Sequence, residues 1–388
     1  MIQAVKAGKV ITGTEDPPID QAIILIEENR ILRVDEERNV KIPESCTVHA
    51  LGNEVVIPGL VDAHSHCAPT PGQGTKKDDP QWRLLFSAVR NIRKDLKQGV
   101  TTIRTLGDIY LIDALLKQAV GAGLLAGPRM CISTKAIKSK ALPGLWSVAI
   151  DANGEKEIRK SIRENIEAGA DWIKIFVSGN FMEGDGKDSF YSKEEIWTAV
   201  DETHRLGRPI SAHAFGGKAI RYCLEADVDT IEHGGLLSDD DIELFLKKGT
   251  WLVPTFNPLF KDIVLENITD KKIYEEVKRA REQFEESFRK AYRAGVRCAM
   301  GTDGRHGQLA FEMECWVKFG VSEKEVISAG TRDSAKAIQM GEEVGTLEPG
   351  KRADLISVRR DPLKDILEMR NIGMVMKDGK RYEAISLE

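Results

Sequence analysis

The stretch VIPGLVDAHSHCAPT, Val56 to Thr70, puts two of the chain's seven histidines one residue apart at the end of an apolar run. Read as a strand, it sends His64 and His66 to one side, with Asp62 on that side two residues deeper. Val61 and Ala63 take the other side. If the apolar side meets helices, the histidine side faces the inside of a barrel. Both imidazoles then arrive at the C-terminal mouth, where barrel enzymes build their active sites. Two unpaired imidazoles side by side in a core would be costly, so a bound partner is expected.

Outward from this run the chain repeats one pattern. Short apolar runs, "EVVIPGLVDAHSH", "VTTIRTLGD", "PRMCISTK", "WIKIFVSGN", "PISAHAFGG", "DTIEHGG", "WLVPTFN" and "RCAMGTDG", alternate with amphipathic stretches such as "KEIRKSIRENIEAGA" and "SKEEIWTAVDETHRLG". Strand alternating with helix predicts parallel βαβ units, and eight runs in order predict a closed, distorted (β/α)8 TIM barrel. The Lys-, Glu- and Arg-rich residues 258 to 295 are expected to form an enlarged helical connection with solvated faces. The ends differ: "VITG", "QAIILIEENRILRV" and "CTVHAL" at the start, and "GTLEPGKRADLISVRRDP" and "GMVMKDGKRYE" at the finish, read as short strands separated by turns. We expect residues 1–54 and 345–388 to pair into one small β-sandwich domain and 55–344 to form the barrel. His49, in "CTVHAL", is read as structural, and His204, at a helix end, as a charge partner for that helix C-terminus.

Composition narrows the function. The 388 residues carry a net charge of -5 with acids and bases mixed throughout, so no basic footprint for nucleic acid is present. No run is long and apolar enough to span a membrane, and the N-terminus shows no signal-peptide pattern. The six cysteines are scattered without a CxxC pair. They are expected to be reduced residues of a cytoplasmic protein.

Further metal-ligand types close other strands. "PISAHAF" ends the fifth predicted strand with His213, "TIEHGG" carries His233 and "AMGTDG" carries Asp303. Together with His64 and His66 they form the His and carboxylate mix expected for Zn²⁺ or a similar divalent ion. In "DWIKIFVSG", Lys174 lies between Ile173 and Ile175, so the isoleucines take the helix side and the lysine goes inward. A bare ammonium there is disfavoured. A lysine of depressed pKa can instead react with CO2, and the two carbamate oxygens can bridge two metals.

This ordered set, with "AGADWIKI", "AHAFG", "IEHGG", "GTDG" and the closing "GTLEPGKRADLISV", resembles the amidohydrolase superfamily over nearly the whole chain. Within it, the pattern is most similar to the imidazolonepropionase-related, Xaa-Pro dipeptidase-like branch. The resemblance implies a buried metal on His64, His66 and Asp303 and an exposed one on His213 and His233, bridged by carboxylated Lys174. It implies a bridging hydroxide, with Asp303 accepting its proton and passing it to the leaving amine. Two features depart from the branch. The loop "TKAIKSKALPGLW" lacks a histidine, and Phe215 stands where a tyrosine is common, so two donors to a developing oxyanion are absent. Lys135, Lys138, Lys140, Arg305 and His306 are the replacements considered. Arg305, His306, Phe215 and Lys138 are taken as substrate contacts, Arg305 as a fork for a substrate carboxylate.

The sequence therefore predicts a binuclear-metal hydrolase of an amide-type C–N bond in a small molecule, an N-acyl amino acid or dipeptide. A cyclic amide, urea, carbamate or lactone substrate, a mononuclear imidazolonepropionase-like enzyme and a non-catalytic metal-holding scaffold are the alternatives. A homo-oligomer is the one protein partner anticipated.

Overall fold

Five strands come first: Ile2–Val10 (β1), Ile19–Glu27 (β2), Arg30–Glu36 (β3), Thr47–Ala50 (β4) and Val55–Pro58 (β5). The computed structural model describes residues 2–69, 79–145, 147–179, 186–263 and 265–382. The chain returns to these strands at its end with Leu355–Val358 (β15), Ile372–Lys377 (β16) and Lys380–Tyr382 (β17). Both termini thus share one eight-stranded sheet in the order β17-β16-β15-β5-β1-β2-β3, with β4 on β1. Its own apolar cluster, including Val5, Ile24, Ile26, Leu355 and Met376, accounts for its cohesion.

The boundary between the two units lies later than the sequence indicated. Val55–Pro58 pairs antiparallel with β15 and, through Val55 and Val56, parallel with β1, so it belongs to the terminal sheet. The barrel starts after Gly59. A Cβ on Gly59 would sit 2.2 Å from Thr101 Oγ1, and its N–H donates to Asp354 O. Only a glycine fits that step between the units. Arg129 fastens them further, with ion pairs of 2.5 Å to Asp354 and 2.6 Å to Asp378.

The barrel strands are Leu60–Ser65 (β6), Val100–Thr105 (β7), Arg129–Ile132 (β8), Ile173–Phe176 (β11), Ile210–Gly216 (β12), Thr230–Leu236 (β13) and Trp251–Val253 (β14). Two short strands, Ala136–Lys138 (β9) and Ala149–Asp151 (β10), extend the connection after β8. The eighth strand is irregular but closes the ring. Ala299 N–H donates to Leu252 O, Ala63 N–H to Met300 O, and Thr302 and Asp303 N–H to His64 O. Residues 297–303 therefore lie between β14 and β6. On the far seam, the Asp171 and Trp172 N–H groups reach Ile132 O.

Each strand is followed by a helix: Gln81–Lys97 (α1), Ile112–Gly121 (α2), Gly154–Glu167 (α3), Lys193–Arg205 (α4), Gly217–Glu225 (α5), Asp239–Lys248 (α6), Lys271–Ala294 (α7) and Leu309–Lys318 (α8). The local sequence explains their ends. Ser192 and Ser238 form capping boxes with Glu195 and Asp241, and Gly249 and Gly295 stop α6 and α7 in the left-handed region. The connection 258–295 is the expected helical enlargement, carried mainly by α7. His49 and His204 sit where the sequence put them: His49 Nε2 is 3.0 Å from Gln3 Oε1, and His204, in the last turn of α4, is 2.8 Å from Asp229.

Candidate active site

At the C-terminal end of β6, His64 and His66 are buried and face one way, as strand alternation requires. Asp62 is not at their level: it pins the seam below them. Its carboxyl accepts from His64 N–H at 3.1 Å, from Thr302 N–H at 3.1 Å and from Thr302 Oγ1 at 2.6 Å. The eighth strand comes this close because residue 301 is glycine, where a Cβ would lie 2.5 Å from that of His64.

His66 donates from Nδ1 to Gly107 O at 2.8 Å, which leaves Nε2 as a lone pair. That Nε2 is 3.2 Å from Asp303 Oδ1, and His64 Nε2 is 3.4 Å from the same oxygen. The three ligand atoms lie within 4.8 Å of one another, a group that could hold a metal ion. Burial works against the charge on Asp303. Hydrogen bonds from the two imidazoles when they carry a proton on Nε2, and the Arg305 charge, outweigh it and hold the carboxyl well below its usual range.

His233 and Asp303 share an unusual backbone, with φ of 75° and 53°. Left-handed conformations are uncommon outside glycine and concentrate at functional sites. At His233 the consequence is visible. Glu232 and His233 are neighbours in β13, yet Glu232 reaches His64 Nδ1 at 2.7 Å while the His233 ring lies 5.2 Å from that of His64. The turn lets adjacent side chains enter the same interior.

The remaining imidazoles complete a ring. His213 and His233 have centroids 4.5 Å apart, and Thr255 Oγ1 lies 2.7 Å from His233 Nδ1. Burial, then the nearby Lys174 charge, pushes His213 down to about 3. Burial and His213 itself push His233 well below its usual value. Both are neutral at physiological pH, the form that binds metals. Phe215 stacks on His233 at 4.8 Å with an interplanar angle of 4°.

Lys174 is fully buried in β11, and among the described residues its Nζ has no hydrogen-bond partner. Ile173 and Ile175 join the main apolar cluster on the other side, as predicted. Burial pulls the ammonium down to about 8, against the opposing pull of Glu232. An orphaned buried amine with a depressed pKa fits a carbamate, whose oxygens would find ligands where the bare amine has no partner.

Two residues here were not singled out in the sequence. Glu232 accepts at Oε1 from Arg104 Nη2 (2.8 Å), Ser211 Oγ (2.7 Å) and Thr230 Oγ1 (2.6 Å). Burial opposes its charge, but Arg104 and His64 hold the carboxyl well below its usual range. Arg104, from β7, is wholly buried, donates to Ala63 O at 2.6 Å and lies 4.3 Å over the Trp172 ring. For Arg104 a usable signal was present: "VTTIRT" puts a charged side chain into an otherwise uncharged strand.

The ligand ring opens into a cavity of about 300 Å³. His64, His66, His213, His233, Asp303 and Arg305 make its polar side, and Leu142, Leu145, Val148 and Phe176 its apolar wall. Arg305 is held by Asp262 at 2.5 Å and by Asp303 O at 2.6 Å. The other expected contacts are placed differently. Lys138 turns from the cavity to Leu142 O (2.8 Å) and Asp151 (2.6 Å), since a buried ammonium needs acceptors. His306 is buried with Nδ1 2.7 Å from Asp95, so it buttresses the strand 8 loop and does not line the cavity. Lys135 and Lys140 are likewise absent from its lining.

Comparison with known proteins agrees with this arrangement. Residues 55–382 match the family model described as Amidohydrolase family. The ochratoxinase of Aspergillus niger is 26% identical over 428 residues, spanning 98% of this chain and 87% of the relative. Its crystal structure superposes with a TM-score of 0.88 at 25% identity over 98% of this chain and 95% of that one. A Xaa-Pro dipeptidase solved with methionine bound in its active site gives a TM-score of 0.88 at 27% identity, over 99% of this chain and 100% of that one. Imidazolonepropionase of Thermoanaerobacter pseudethanolicus is 24% identical over 383 residues, 88% of this chain and 84% of the relative. Among the described residues, no helix is long and apolar enough to cross a membrane.

Proposed function

This chain belongs to the amidohydrolase family, hydrolytic enzymes acting on C–N bonds, and within that family we propose that it is a binuclear-metal amide hydrolase. The observation that carries the reading is Lys174: a fully buried amine with no hydrogen-bond partner among the described residues, on the strand paired with that of His213. His64, His66 and Asp303 would hold one divalent ion, His213 and His233 the second, and a carbamate on Lys174 both. Zinc suits this nitrogen and oxygen donor set. When bound, such a pair of ions supplies hydroxide at neutral pH and polarises a substrate carbonyl.

The protein's own part follows from its side chains. Asp303, held ionised, accepts the proton of the attacking nucleophile and returns it to the departing nitrogen, so that an amine leaves rather than an amide anion. Neutral His213 and His233 keep their lone pairs available. Arg305 grips a carboxylate on the substrate, and the wall of Leu142, Leu145, Val148 and Phe176 accepts an apolar acyl group. The favoured substrate is an N-acyl amino acid or dipeptide with an apolar acyl side. Relatives named as a Xaa-Pro dipeptidase and an ochratoxinase support this class. Work in the cytoplasm and association with further copies of the chain complete the proposal.

Asp303→Asn tests it against a panel of N-acyl amino acids and dipeptides. Loss of general acid–base help predicts a kcat lower by about 10²–10⁴. A metal-loaded wild type that turns over no amide, ester or lactone would leave the scaffold reading in its place.

A further inference from the structure

Arg104, on β7, and Glu232, next to His233 on β13, form a fully buried ion pair. Oε1 of Glu232 receives all three of its close donors: the Arg104 guanidinium and the Ser211 and Thr230 hydroxyls. Oε2 has none of these. It lies 2.7 Å from His64 Nδ1, off the ideal line of a hydrogen bond, and among the described residues neither atom has another hydrogen-bond partner. Arg104 cannot swing away, since it also donates to Ala63 O and Thr230 Oγ1 and is stacked over Trp172.

We propose that Glu232, clamped by Arg104, is a positioning residue that keeps the His64 proton on Nδ1 and so leaves Nε2 open to the buried metal ion. This inference rests on the metal site proposed above. A carboxylate oxygen can only accept, so the atom facing it must be N–H. His64 then presents an unprotonated Nε2 on the side of Asp303. The clamp also fixes which end of the side chain faces which partner. Arg104 offers only donors, so whatever replaces Glu232 must turn an acceptor toward it.

Glu232→Gln makes this testable, because shape is kept and the polarity at His64 is reversed. The amide oxygen must stay on Arg104, which leaves the NH2 against His64 Nδ1. The NH2 donates, Nδ1 must accept, and the proton moves to Nε2, where the metal would bind. Adding Arg104→Met releases the amide. Its NH2 can turn to the Ser211 and Thr230 hydroxyls, which accept, and its oxygen can again face His64.

The experiment labels the histidines of the full-length chain with ¹⁵N and reads the His64 tautomer after chelation, then titrates Zn²⁺ into each variant. Wild type should show Nδ1–H. E232Q should show Nε2–H and bind the buried-site metal about 10- to 100-fold more weakly, the usual effect of losing such an outer partner. The double variant should return toward wild type in both readouts, which a merely structural pair would not do. The proposal is overturned if wild-type His64 carries its proton on Nε2, a result that does not require any variant to fold. It is equally overturned if E232Q keeps Nδ1–H and wild-type affinity. A wild type that binds no Zn²⁺ removes the metal reading, while the tautomers still decide this one.

Discussion

Phe215 lies flat on His233, with ring centroids 4.8 Å apart and planes within 4° of parallel. Where the resemblance to the family implied a tyrosine, Phe215 here braces the ring of His233, a proposed metal ligand. Phe215→Ala should remove that brace and leave a void, costing about 3 kcal/mol of stability. The lost stacking, worth about 0.5–1.5 kcal/mol, should weaken the exposed-site metal about 2- to 12-fold. Thermal unfolding and metal titration check the two effects separately. Unchanged metal affinity would reduce Phe215 to packing alone.

Arg305 brings a guanidinium to the cavity lining, anchored by Asp262 and the Asp303 carbonyl. A hydrogen bond to a charged group contributes about 1.5–3 kcal/mol. Arg305→Met should therefore raise KM for N-acyl amino acids about 10- to 100-fold. C-terminally amidated analogues, which carry no carboxylate, should change much less. The ratio of the two substrates is the readout. A constant ratio would show that Arg305 does not bind the carboxylate.

His204 gives a pH dependence remote from the chemistry. Its hydrogen bond to Asp229 raises its pKa against a smaller opposing effect of burial. The folded state therefore binds the proton more tightly than the unfolded one. The stabilisation is fully present below the unfolded value of about 6.5 and fades as pH rises through the folded value. The melting temperatures of wild type and His204→Ala should differ most in mild acid and converge in mild base. A difference that does not vary with pH would contradict this.

Much of the site was legible in the sequence because barrel strands repeat every two residues. That period placed His64 beside His66 and turned Lys174 inward between two isoleucines. Glu232 escaped the same rule because its neighbour His233 adopts φ of 75°, so two adjacent residues enter one interior. No residue type announces that turn. Arg104 escaped for another reason: its partner is 128 residues away, and only the closed barrel brings them together. Val55–Pro58 reads as one apolar run with β6. Which sheet it joins is decided by β15, some 300 residues later, through pairing that no local pattern encodes. Lys138 was misplaced because a lysine in a loop after a strand looks available until its acceptors, Leu142 O and Asp151, are seen.

Lys174 decides the central claim. Its buried Nζ, without a hydrogen-bond partner among the described residues, is the reason two metals are proposed rather than one. The direct measurement is metal content per chain for wild type and Lys174→Ala, each loaded with Zn²⁺ in the presence of bicarbonate and freed of excess. The account predicts two ions in the wild type and one or fewer in the variant. One ion in both, held with the same affinity, would contradict it.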